Sequence, residues 1–178
     1  IPAPWRVAAP LPMPFWREGA FDLDRARRPV DEAIAAQAGF AVPIEDDRYG
    51  TIDWRAHFAS VDYTGLDDPD SIDFASLAHA ATHDGGYAAR RIHSDRARDA
   101  VLAIGKNSFA GESHLTVWLN GTPVYQDKLK RVEVPVKLLA GWNTLVLKSA
   151  HVTWQWQVSA GLRPAPGDTL DALRYALP

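Results

Sequence analysis

Residues 115–142 read LTVWLNGTPVYQDKLKRVEVPVKLLAGW, and their alternation decides the fold. Apolar side chains alternate into Asn120-Gly121, resume at Val124, and return at Val132, Val134, Val136 and Leu138. A period of two is the strand period. Asn-Gly between two such runs favours a hairpin, because both central residues of a type I′ turn need positive φ. Gly141-Trp142-Asn143 then turns the chain again. The centre of the protein is read as antiparallel β-structure.

Outward from that centre, strands are expected at 87–93, 100–104, 115–119, 124–125, 132–138, 144–149 and 154–158, at the spacing of an all-β sandwich. His83-Asp84-Gly85-Gly86 reads as a tight turn and residues 94–99 as a polar corner. Trp154 and Trp156 share the face of Val158 and are assigned to the core, whereas Trp118 falls on the opposite face from Val117 and Leu119, under an N-terminal arm.

Upstream, residues 1–20 carry five prolines and are read as an extended arm, with Trp5-Arg6-Val7 as a short edge strand. Pro29 and Gly39 bracket a short helix at 30–38. A modest strand follows at 50–55, then a loop at 62–72 rich in Asp, Pro and Ser. In the tail, Pro164 and Pro166 mark a linker. Leu170, Leu173 and Leu177 stand at helical spacing, which predicts a short C-terminal helix docking on the sandwich or the start of a tether.

A chain of 178 residues fits a single domain. Its formal charge of −3, with acids and bases interspersed, provides no basic stripe for nucleic acid. No run of about 18 apolar residues is present to insert in a bilayer. Cysteine is absent, which removes disulfides and thiolate chemistry. The chain begins at Ile1 without Met or a signal-like segment, as a processed protein or a piece of a longer one would. Seven tryptophans against one methionine suit both a sandwich filled by flat side chains and a surface that stacks on sugars.

The segments 114–121 (HLTVWLNG), 132–138, 140–148 (AGWNTLVLK) and 154–156 (WQW) resemble the signature of galactose-binding-like jelly-roll domains. Residues 87–90, 94–95 and 100–105 resemble that family's preceding strands. The resemblance spans roughly 84–158 and extends weakly back to Trp5. It implies an all-β jelly-roll sandwich of two antiparallel sheets, of the kind that accompanies bacterial polysaccharide-degrading enzymes as a carbohydrate-binding or accessory module. The corner that the family often builds from acidic residues reads GKNSFAG at 105–111, so a metal or sugar role does not carry over to it.

Sugar recognition asks for a flat aromatic face against the C–H face of a pyranose, with polar groups around it for the hydroxyls. Trp142 sits in a turn, where rim packing and ligand stacking compete. Tyr63, Tyr49 and Trp16 fall in irregular segments, where binding residues concentrate, and His83, Asp84, Arg90 and Tyr125 complete the candidate ligand-binding set. The acidic runs at 22–24, 45–47 and 67–70 supply oxygen donors for a structural calcium, although none has EF-hand spacing; no other cofactor is expected. Six histidines show no HExxH, and GxSxG and P-loop motifs are absent. The expectation is a non-catalytic module that binds carbohydrate and holds an attached enzyme near its polysaccharide, secreted or periplasmic. The alternative is a structural domain packing against a catalytic domain of the same parent chain.

Overall fold

The computed structural model describes residues 4–12, 16–17, 20–21, 40, 43–46, 50–58, 70–78, 84–106, 113–151 and 156–178. Seven strands build one antiparallel sheet. Its order is β11 (Thr122–Lys128), β10 (Ser113–Leu119), β13 (Gly141–His151), β8 (Asp84–Ser94), β1 (Trp5–Pro12), β6 (Arg55–His57), with β15 (Arg174–Ala176) also on β8. Four strands build the second, in the order β12 (Val132–Leu138), β9 (Arg98–Lys106), β14 (Gln157–Pro164), β7 (Ser71–Asp73). Two small ribbons pair β2 (Trp16–Arg17) with β3 (Ala20–Phe21), and β4 (Ile44–Asp46) with β5 (Gly50–Ile52). A short helix, Phe74–Ala78, follows β7.

Alternation explains why two sheets face each other. Leu115, Val117 and Leu119 of β10, Leu145 and Leu147 of β13, and Ala88 and Ile92 of β8 point inward. They meet Val136 and Leu138 of β12, Leu102 and Ile104 of β9, and Val158 and Ala160 of β14. Trp156 is fully enclosed there, stacked on Phe74 with centroids 4.7 Å apart, and its indole N–H donates to Ser149 Oγ at 2.9 Å. The core assignment of Trp156 holds, while Trp154 lies outside the described residues. The Asn-Gly turn also forms as read, with φ of 53° at Asn120 and 79° at Gly121.

The outer face of the large sheet carries a second apolar cluster. Tyr87, Ala89 and Val146 are covered there by Phe40, Ile44 and Ile52, with Trp54 and Trp118 half-buried at its margin. Trp118 therefore does face away from the main core. It packs against the cluster formed by Phe40, Ile44 and Ile52 with the sheet's own Ala8 and Leu11.

Three local readings need correction. Trp5-Arg6-Val7 does not form an edge, because β6 pairs outside β1 through Trp5↔His57, Arg6↔Ala56 and Val7↔Arg55. The supposed turn at 83–86 is strand from Asp84 onward. Gly86 is needed for closeness rather than for turning, since a Cβ there would lie 2.8 Å from Phe74 Cδ1 and 3.0 Å from Ala9 Cβ. The C-terminal helix is not formed: Leu173 N–H closes a turn onto Leu170 O at 3.1 Å, and Arg174–Ala176 then pairs with β8. The reason is the edge of β8, where β1 covers residues 84–89 and leaves the backbone groups of 91–93 for another strand. The helix expected at 30–38 lies outside the described residues.

Candidate functional site

Among the described residues, the outer face of the large sheet is covered only in part. Register sets Trp118 against Val146 and Val146 against Ala89, at the margin of the covered cluster. Further along, the next outward pair is Thr144↔Arg91, and beyond it Trp142↔His93, which continues to Arg174 on β15. Trp142 is not the turn residue expected from sequence but lies on strand β13, paired with His93, because Leu139 and Ala140 make the turn; its side chain is 44% exposed.

Two asparagines fix that strand end. Asn143 is fully buried and its Oδ1 accepts from Leu139 N–H and from Asn120 Nδ2, each at 2.8 Å. Its Nδ2 faces the carbonyls of Leu139, Ile92 and Gly141 at 2.9, 3.3 and 3.3 Å. Asn120 Oδ1 accepts from Thr144 N–H at 2.9 Å, and Asn120 N–H donates to Thr144 O at 2.9 Å. Both turns are thereby locked to one another, and the alternation that buries Asn143 turns Trp142 out.

The indole is flanked by basic side chains. His93 meets it edge-on, with centroids 5.1 Å apart at 75°, and the Arg91 guanidinium carbon lies 5.0 Å from its centroid. Arg174 Nη2 is 3.2 Å from His93 Nδ1 and 3.4 Å from Nε2. The arrangement is a flat hydrophobic plate bordered by planar hydrogen-bond donors on rigid strands.

Of the other candidates read from sequence, Tyr125, Asp84 and Arg90 lie away from this plate. Tyr125 packs half-buried against the main core and donates its hydroxyl to Lys128 O at 2.6 Å. Burial, reinforced by Asp127, pushes its pKa above that of an ordinary phenol, against a smaller opposing effect of Lys130. Asp84 is buried at the far end of β8, about 30 Å from His93 along the strand. Arg90 is fully enclosed in the sandwich. Its Nη1 donates to Asp70 Oδ1 at 2.7 Å and its Nη2 to Ala160 O at 2.6 Å, while the guanidinium lies 4.1 Å from the Trp5 ring centroid and 4.9 Å from that of Tyr175. It clasps the two sheets and both terminal strands. Only the backbone of Trp16 is described, in the β2–β3 ribbon, and Tyr49, Tyr63 and His83 lie outside the described residues.

Sequence reading missed Arg91, His93 and Arg174. A signal for the first two existed: if Ala88 and Ile92 point inward, Arg91 and His93 must point outward beside whatever strand pairs with β8. For Arg174 there was none. Of the acidic runs considered for calcium, 22–24, 47 and 67–69 lie outside the described residues, and among those described no three His, Asp or Glu side chains gather as a metal site.

No protein-family model matches the chain, and no curated protein matches it. A solved structure, that of a family 35 carbohydrate-binding module from an environmental isolate, aligns with 70% of this chain and 88% of its own at 16% identity, with a TM-score of 0.35.

Proposed function

We propose that this chain is a non-catalytic carbohydrate-binding module, a galactose-binding-like jelly roll that holds an attached polysaccharide-active enzyme near its substrate outside the cytoplasm. The observation that carries the reading is Trp142. An indole left 44% open on a strand end held by two asparagines, Asn143 of them fully buried, is a pre-ordered stacking surface, so a sugar ring that lands on it meets little ordering cost. Its polar border supplies donors for substituents on the ring.

Affinity electrophoresis against a panel of soluble polysaccharides tests this. Retardation by at least one polysaccharide, lost in Trp142→Ala, supports the module. Unchanged migration of the wild-type chain with every glycan overturns it.

A second reading is favoured by Leu139, 55% exposed in the turn just before the strand that carries Trp142. The two together offer an apolar contact for a catalytic domain of the same parent protein. Under that reading glycans leave migration unchanged, and Trp142→Ala weakens association between the separated domains. A structural calcium held by the acidic runs belongs to the same proposal and is tested by the change in melting temperature on adding EDTA.

A further inference from the structure

We infer that Trp142, Arg91 and Arg174 form one subsite for an acidic sugar ring, bearing a carboxylate or a sulfate. This rests on the carbohydrate reading above and narrows its ligand class. The three side chains are contributed by three adjacent strands, β13, β8 and β15, and His93 links them by touching both the indole and Arg174.

The chain as a whole is acidic, with a formal charge of −3. Arg90, Arg96, Arg98 and Arg163 all have carboxylate partners, in Asp70, Asp168, Asp95 and Glu133. Among the described residues, Arg91 and Arg174 form no such ion pair, as Arg6, Arg55 and Arg131 form none; what sets the two apart is that they stand beside the exposed Trp142 and its neighbour His93. An arginine steadied by an aromatic ring keeps its outer N–H edge available, and that edge offers parallel donors matched to two oxygens of one anion.

The chemistry of the partner follows. A neutral pyranose hydroxyl both donates and accepts, and is best met by a mixture of carboxylate, amide and guanidinium groups. The border of this indole supplies the Arg91 guanidinium and, through His93, that of Arg174, donors that an acceptor-rich group satisfies best. The hydrophobic face of the same ring would lie on the indole while its anionic substituent reaches the arginines.

The test uses the full chain in affinity electrophoresis and calorimetry with two matched pairs of polymers: polygalacturonate with its fully methyl-esterified form, and a sulfated galactan with its desulfated form. The expected result is binding to one charged polymer at least about tenfold tighter than to its neutral twin, a margin that the double variant Arg91→Gln/Arg174→Gln erases. Which pair shows the margin tells carboxylate from sulfate. Equal binding to charged and neutral twins, abolished by Trp142→Ala, overturns the acidic preference and leaves the carbohydrate reading standing. Binding to neither pair or to any other glycan overturns both. Charged-polymer binding that survives Trp142→Ala, or that polyglutamate reproduces, overturns the subsite as diffuse charge attraction. Thermal melting of each variant within a few degrees of wild type separates these outcomes from misfolding.

Discussion

Asn120 Nδ2 donates to Asn143 Oδ1 at 2.8 Å, and through that bond the β10–β11 turn and the β12–β13 turn hold each other. The acceptor is fully buried and also receives Leu139 N–H. Its neighbour in sequence, Trp142, owes its outward aim to this lock.

Replacing Asn143 with Ala strands buried backbone groups at Leu139 and Ile92 and is expected to cost about 2–4 kcal/mol in urea unfolding. Asn143→Asp should be no better, since an oxygen would then face the carbonyls of Leu139, Ile92 and Gly141. Glycan affinity should fall with either, measured at a temperature where the variant remains folded.

The two described extremes of tryptophan burial should separate stability from binding. Trp156→Ala empties a fully enclosed site and should destabilise the domain by about 3–5 kcal/mol. Trp142→Ala, at a side chain already 44% open, should change stability by less than about 1 kcal/mol and remove glycan retardation. Parallel denaturation and electrophoresis check both.

Asp70 and Arg90 are unequal partners: the arginine side chain is fully buried, and the aspartate retains 29% of its exposure. Asp70→Ala leaves an enclosed cation beside Trp5 and is expected to cost about 2–3 kcal/mol, below the usual range for a buried pair because water reaches one end. Arg90→Met removes the charge itself and fits between aromatic rings, so it should cost less. The reverse order in chemical denaturation would show that the bond to Ala160 O outweighs the ion pair.

Acid should weaken the fold through His57. Burial lowers its pKa below 6.5, with Asp73 opposing, so the folded state favours the neutral ring and the unfolded state takes up the proton first. The stabilisation is complete above about pH 6.5 and is lost as pH falls from there through the lower folded value. At the alkaline end, burial raises the pKa of Tyr175, which Arg90 lowers and Asp70 raises to smaller extents. Its contribution is complete below about pH 10 and is lost as pH rises through the higher folded value. Melting temperatures across pH, compared with His57→Gln and Tyr175→Phe, should show both slopes flattened in the respective variant.

Periodicity made the sandwich legible. Val132–Leu138 forms over the residues that alternation marked, because a half-buried strand writes its inward face into every second residue. Arg90 shows how composition misleads. By parity with Ala88 and Ile92 it belongs inside, yet an arginine reads as surface until its partners are known, and Asp70 and Ala160 lie 20 and 70 residues away. The tail misled for a related reason: leucines at helical spacing are a weak local preference, and the unpaired edge of β8 outweighed it.

By itself, then, the sequence determined two antiparallel layers, the Asn-Gly hairpin and the outward parity of Trp118, since these depend on alternation and on φ at neighbouring residues. Tertiary structure alone decided that Phe40, Ile44, Ile52 and Trp54 pack on the outer face of the large sheet around Tyr87, Ala89 and Val146, and that Arg174 arrives beside His93. Those outcomes depend on which distant strand edges still lacked hydrogen-bond partners and which apolar faces still lacked cover, and neither quantity is defined until the chain has closed on itself.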